Sequence, residues 1–166
     1  MRPLNVHEIV EHIRRLIVAE AAESVAIVRD YDPSLPEVNM DRDQVVQAMM
    51  NLARNALQAA GPEGRLVFRT RALMNRKIAN RIHRIVASVE IEDDGPGVPE
   101  ALRDTLFYPL VTGRADGTGL GLATAQDLVS RHGGLIEFES RPGRTVFAML
   151  FPIEEEAPGS HEPSNA

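Results

Sequence analysis

Val6, Ile9, Val10, Ile13, Leu16 and Ile17, followed by Ala19 and Ala21, recur at the three-and-four spacing of one helical face, which predicts an amphipathic helix over 5–23. Its abrupt opening suggests a chain that enters inside a longer element. Val25-Ala26-Ile27-Val28 predicts a short strand, and prolines 33 and 36 exclude regular structure from the stretch after it. A second helix is predicted from about Asp41 to Ala60, capped by Asp41 or Asp43 and stopped by Gly61-Pro62. Leu66–Arg71 and Arg84–Glu92 read as strands, the second alternating Ile85, Ala87, Val89 and Ile91 against more polar neighbours, with 72–83 as a loop. Residues 93–99 form a glycine- and proline-dense turn, and 100–118 show no sustained period. A third helix is predicted from Leu120 to Arg131, closed by His132-Gly133-Gly134. Two last strands, Leu135–Ser140 and Thr145–Phe151, flank a turn. This order predicts an α/β fold with helices packed on one face of a mixed sheet.

Composition changes the picture only by exclusion. A chain of 166 residues, 43% hydrophobic and 25% charged, suits one ordinary globular domain. The absence of cysteine excludes disulfides and a thiol nucleophile. No apolar run approaches the roughly 20 residues needed to cross a bilayer, and Met1-Arg2-Pro3 opens no signal peptide. The expectation is a soluble, cytoplasmic protein with no membrane contact. The net charge of −6 is uneven: residues 154–166 hold four acids and neither Lys nor Arg, which leaves 18 basic against 20 acidic side chains before them. That acidic tail is expected to be disordered. Between 64 and 84 lie Arg65, Arg69, Arg71, Arg76, Lys77, Arg81 and Arg84 without one acid. With Phe68 as its only aromatic, this segment reads as a solvated hairpin rather than a nucleic-acid surface, although protein docking stays open.

Three motifs carry candidate chemistry. Asn51 and Asn55, four apart, project from one face of the second helix, and their amide oxygens are suitable ligands for Mg²⁺. Asp93-Asp94-Gly95-Pro96-Gly97 follows directly on a strand, where glycine lets the backbone approach a ligand and a carboxylate can accept from an exocyclic amine. Gly117-Thr118-Gly119-Leu120-Gly121-Leu122 leads into a helix N-terminus, whose free N–H groups and dipole suit phosphate. It is neither a Walker A loop, since no Gly-Lys-Ser/Thr follows, nor a dinucleotide fingerprint, since Leu122 stands where glycine is required. Taken singly, each motif is also ordinary: solvated asparagines, a surface turn, a tight helix start.

In this order the set resembles the ATP-binding domain of sensor histidine kinases, within the group that includes gyrase B, Hsp90 and MutL. Asn51 and Asn55 match the N box, Asp93–Gly97 the first glycine box, Gly117–Gly121 the second, and Phe107 with Pro109-Leu110 the F box. Thr112-Gly113-Arg114, NLARNALQA, RDYDPSLPEV and the stretch from Leu106 to Phe138 are most similar to the NtrB-type kinases of nitrogen regulation. The resemblance spans about residues 4–152. It implies a two-layer α/β sandwich whose mixed, mostly antiparallel sheet is backed by helices, with ATP and Mg²⁺ as cofactors. By resemblance, Asp93 recognises the adenine amine and Gly95, Gly97 and Val98 shape that wall. Asn55 ligates the metal with Asn51 assisting, and Phe107 packs at the base of a lid over 104–118. Thr112, Gly113 and Arg114 lie on that lid, with Arg114 near the γ-phosphate. The amides of Gly117, Thr118, Gly119, Leu120 and Gly121, with Leu122, hold the phosphates.

The resemblance also implies a division: 1–23 as the end of a dimerisation-domain helix, 24–153 as the ATP-binding domain, and 154–166 as tail. Where ATPases of the wider group carry a general-base Glu, this chain has Asn51, which accepts no proton. The expected nucleophile is therefore a histidine on another domain. His7-Glu8 lacks the rest of a phosphoacceptor motif, and His7 and His12 diverge by roughly 140° around a helix. Both read as surface histidines, as do His83 and His132. The implied partners are the chain's own dimerisation and phosphoacceptor domain, an NtrC-type response regulator and a PII-type signal protein. The isolated domain is expected to be monomeric and the full-length kinase a homodimer. A free-standing ATPase and a nucleotide-sensing interaction module remain the alternatives.

Overall fold

The computed structural model describes residues 1–107 and 121–153. Its elements, in chain order, are β1 (Arg2–Leu4), α1 (Val6–Glu20), β2 (Ala26–Asp30), β3 (Val38–Met40), α2 (Arg42–Ala60), β4 (Arg65–Ile78), β5 (Arg81–Asp93), a 3₁₀ turn (Glu100–Thr105), α3 (Gly121–Ser130), β6 (Leu135–Arg141) and β7 (Arg144–Pro152). Five strands form one sheet in the order β2-β4-β5-β7-β6, with β2 parallel to β4 and every other pair antiparallel. Alternation along the strands sends Leu66, Phe68, Ala87, Val89, Ile91, Phe147, Met149 and Phe151 to one face, where all three helices cover them. The result is the expected two-layer sandwich.

Local chemistry sets each helix. Asp41 accepts from the Gln44 N–H at 3.1 Å and caps α2, while Gly61, at φ +77°, ends it. The capping resolves the choice between Asp41 and Asp43 in favour of the former. Asn5 caps α1 in the same way through the His7 N–H. That cap marks the N-terminal end of α1, and β1 before it pairs antiparallel with β3. The buried face of the helix (Val6, Ile9, Val10, Ile13, Ile17) belongs to the main core. α1 thus packs on the same core as the sheet.

One expectation is corrected: 72–83 reads as a loop and folds as a strand hairpin. β4 and β5 make one long hairpin closed by Ala79-Asn80, in unchanged register from Leu66↔Asp93 to Ile78↔Arg81. Its ladder lapses only at Asn75, at φ +53°. Beyond that point Ile78 is buried with Val86 and Leu150 on the sheet's outer face, so the hairpin tip has a small core of its own. The same face neutralises much of the basic segment. Arg69 bonds Glu90 at 3.0 Å and Glu92 at 3.2 Å, Arg71 bonds Asp30 at 2.8 Å, and Arg76 bonds Glu137 at 2.5 Å. No helix among the described residues is long and apolar enough to cross a membrane.

Candidate nucleotide site

Asp93 is the last residue of β5 and is 1% exposed, the only charged side chain so deeply buried among the described residues. A carboxylate removed from water is costly unless something holds it. Its Oδ1 accepts from the Gly95 N–H at 2.9 Å. The Gly95 carbonyl in turn accepts from the Gly143 N–H at 2.9 Å, which ties the turn to the β6–β7 hairpin. A Cβ on Gly95 would stand 2.4 Å from the Ala59 carbonyl oxygen in the last turn of α2. Glycine is therefore a packing requirement here: the turn lies backbone to backbone against the helix.

Gly97 has a different reason to be glycine. Its φ of +94° is disallowed to most L residues, and a Cβ would also meet the Arg141 carbonyl carbon and oxygen at 3.0 Å. Next to it, the Val98 N–H donates to Ser140 Oγ at 2.7 Å, and Ser140 Oγ lies 2.7 Å from Thr145 Oγ1. Asp94 turns the other way and accepts from the Arg65 N–H at 2.9 Å, fixing the start of β4. Pattern reading missed Ala59, Ser140, Thr145 and Asp94 as supports, because their distance along the chain hides the contact.

Asn51 and Asn55 are both half-buried on one face of α2, as their spacing predicts. Asn51 Nδ2 donates to the Gly121 carbonyl at 3.1 Å. A carbonyl faces only a donor, so the bond fixes the amide orientation and leaves Oδ1 as the atom available to a ligand. Gly121 opens α3, so the N-terminus of α3 lies opposite the Asn51 side chain, and Leu122 packs on the core. Phe107 packs on the core edge-on to Phe138 and Phe147, with centroids 6.1 and 6.2 Å away. The remaining predicted residues, Thr112, Gly113, Arg114, Gly117, Thr118, Gly119 and Leu120, lie outside the described residues.

The donor set fits a metal nucleotide. Two neutral amides, one with its oxygen freed by orientation, match the preference of Mg²⁺ for oxygen ligands shared with phosphate. A buried acceptor beside a close-packed glycine backbone matches the edge of a planar, amine-bearing base.

The histidines depart from the surface reading. His7 is half-buried, with Nε2 2.8 Å from Thr70 Oγ1 and its ring stacked on Tyr31 at 5.1 Å. The Tyr31 hydroxyl donates to Glu11 at 2.5 Å, and Arg14 and Arg29 bond the same carboxylate. The Arg14 hydrogen bond is the main cause that holds Glu11 at about 2, with burial opposing and Tyr31 assisting. Burial, then the Glu11 bond, raises Tyr31 well above the phenolic range. His132 is half-buried as well and bonded on both ring nitrogens.

Comparison with known proteins identifies the family and the fold. Residues 40–155 match the model of the histidine kinase-, DNA gyrase B-, and HSP90-like ATPase family. The chain is 46% identical over 152 residues to the sensory histidine kinase/phosphatase NtrB of Escherichia coli O157:H7, covering 91% of this chain and 44% of that protein. It is 48% identical over 151 residues to NtrB of Vibrio alginolyticus, covering 90% and 43%. The catalytic domain of histidine kinase ThkA superposes with a TM-score of 0.78 at 25% identity, over 91% of this chain and 94% of that one. The chain spans less than half the length of these curated relatives.

Proposed function

The chain belongs to the histidine kinase-, DNA gyrase B-, and HSP90-like ATPase family, and on that premise we propose that it is the Mg-ATP-binding catalytic domain of an NtrB-like histidine kinase. The observation that carries the reading is the buried Asp93 carboxylate, held by Gly95 in a turn pressed against α2. The carboxylate accepts a hydrogen bond from the adenine amine, while Gly95, Gly97 and Val98 form the wall beside the base. Asn55 and the oriented Asn51 Oδ1 hold Mg²⁺, which when bound neutralises charge on the phosphate oxygens. Positioning and charge neutralisation account for most of such phosphoryl transfer. Asn51 cannot take a proton, so this domain does not activate water. The γ-phosphoryl passes to a histidine on a dimerisation domain, and from there to an NtrC-type response regulator under a PII-type signal protein. The setting is the cytoplasm, with a homodimeric full-length kinase.

The same reading assigns nucleotide contacts to Thr112, Gly113 and Arg114, with Arg114 for the γ-phosphate, and to Gly117–Leu122 for the phosphates. Isothermal titration of the purified chain with Mg-ATP tests the site. Binding is expected, and it is expected to collapse in Asp93→Asn; unchanged affinity in that variant sinks the adenine assignment. Incubation with γ-labelled ATP should leave the chain unlabelled, and adding a separately made dimerisation domain should put the label on that domain. ATP turnover without a partner would instead mark a free-standing ATPase, and binding without transfer to the added domain a nucleotide-sensing module.

A further inference from the structure

His132 follows α3 and touches three elements at once. Its Nδ1 lies 2.8 Å from the Leu128 carbonyl oxygen, which can only accept, so Nδ1 carries the proton. Its Nε2 lies 3.1 Å from the backbone N–H of Asp41, which can only donate, so Nε2 is a bare lone pair. Together the contacts define a neutral imidazole in the Nδ1–H tautomer. The ring also stands edge-on to the buried Phe151 of β7, at 5.8 Å and 85°.

Asp41 is the N-cap of α2, and ten residues further along that helix Asn51 bonds Gly121, the first residue of α3. Ten helical residues rise about 15 Å, and α3 is itself ten residues long. The short helix therefore runs antiparallel along the first half of α2, bonded near both ends. Between the two bonds, α3 offers Ala125, Leu128 and Val129 to the core. Such apolar contacts are non-directional and set an axial position poorly, whereas a hydrogen bond sets it sharply.

We propose that His132 is a positioning residue for nucleotide binding: by fastening the end of α3 to the cap of α2, it fixes where the N-terminus of α3 stands opposite Asn51. This inference rests on the nucleotide site described above. Substituting His132→Leu removes donor and acceptor, while His132→Gln keeps one of each. Titration with Mg-ATP, at a temperature where circular dichroism shows each variant folded, is expected to give an affinity about three- to tenfold weaker for His132→Leu. His132→Gln should recover most of that loss. Imidazole nitrogen shifts of the wild-type chain, which need no variant to fold, should show a protonated Nδ1 and a bare Nε2 at neutral pH. A protonated Nε2, a folded His132→Leu with wild-type affinity, or a His132→Gln no better than His132→Leu overturns the proposal. Wild-type chain that binds no ATP, yet shows the expected tautomer, overturns the reading of the site and this role with it, while the contact itself stands.

Discussion

Replacing Gly95 with alanine adds one methyl group at the point where the turn after β5 meets α2. The new Cβ would lie 2.4 Å from the Ala59 carbonyl oxygen and 3.0 Å from Asp93 Oδ1. Ordinary contact begins near 3.4 Å, so one side must yield by about 1 Å. Neither is free to do so. Ala59 sits in the last turn of a helix whose Val45, Met49, Leu52 and Ala56 are buried, and Gly95 is bonded through its N–H to Asp93 and through its carbonyl to Gly143. Overpacking of this kind costs about 1–3 kcal/mol. In a domain of this size, melting should fall by roughly 3–10 °C. Moving the turn also breaks the Asp93–Gly95 bond that orients the carboxylate, so Mg-ATP affinity should drop about tenfold or more. Gly61→Ala is the control: at φ +77° it introduces backbone strain, but its Cβ meets nothing within 4 Å. It should lose stability and keep its affinity to within about twofold. Differential scanning fluorimetry and isothermal titration on both variants decide the matter. Wild-type melting and affinity in Gly95→Ala would refute the close-packing argument, and equal affinity losses in the two variants would refute its link to the site.

Acid should destabilise the domain through Glu11, whose folded pKa is lowered from 4.5 to about 2 chiefly by Arg14. A depressed carboxylate contributes fully above its unfolded pKa, so that stability is lost as pH falls from about 4.5 towards 2, and Glu11→Gln should flatten an acid-unfolding curve there. Ala79→Gly should stabilise the hairpin, because Ala79 sits at φ +57° at its closing turn. The relief, less the entropy that glycine adds to the unfolded chain, is about 0.5–1 kcal/mol and should show as a melting rise of a few degrees. Asn51→Asp sets an acceptor against the Gly121 carbonyl in place of a 3.1 Å donor, and chemical denaturation should register a loss of about 1–2 kcal/mol together with weaker Mg-ATP binding.

The legible parts of the fold were those with local causes. α2 announces itself by Asp41 at one end, Gly61-Pro62 at the other and an apolar face between, and all three features are where the pattern puts them. The hairpin beyond Arg71 was illegible because Asn75, Arg76, Lys77, Ala79 and Asn80 have little strand propensity. They are held there by register inherited from the core and by Ile78 packing on Leu150. β1 and β3, three residues each, are too short to show a period at all. In the site, positive φ is a reason for glycine that the turn motif itself suggests, and Gly97 adopts it, whereas the backbone contact with Ala59 that requires Gly95 has no local signal. His132 was misjudged for a related cause, since its partner lies 91 positions away.

Those long-range pairings also bear on how an acidic domain would accommodate the proposed triphosphate. Of the basic side chains that the sequence concentrates over 64–84, Arg69, Arg71 and Arg76 face the outer sheet surface, where they are matched by Asp30, Glu90, Glu92 and Glu137. Arg144 joins the same network through Glu92 and Glu139. Apart from the part-buried Arg69 pairs, these pairs are exposed on at least one side and contribute little stability each, but together they offset much of the positive charge on that surface. On the helix side, the described part of the site offers one buried carboxylate, two amides and a helix N-terminus. A carboxylate alone would repel the phosphates, so its seat at the base end, at the tip of β5, separates it from the asparagines on α2. Neutral amides accept a metal ion without adding negative charge, and a helix terminus supplies roughly half a positive charge without a counter-ion to displace. On the proposed reading, the remaining positive charge arrives with the cation, which makes the divalent ion part of the ligand.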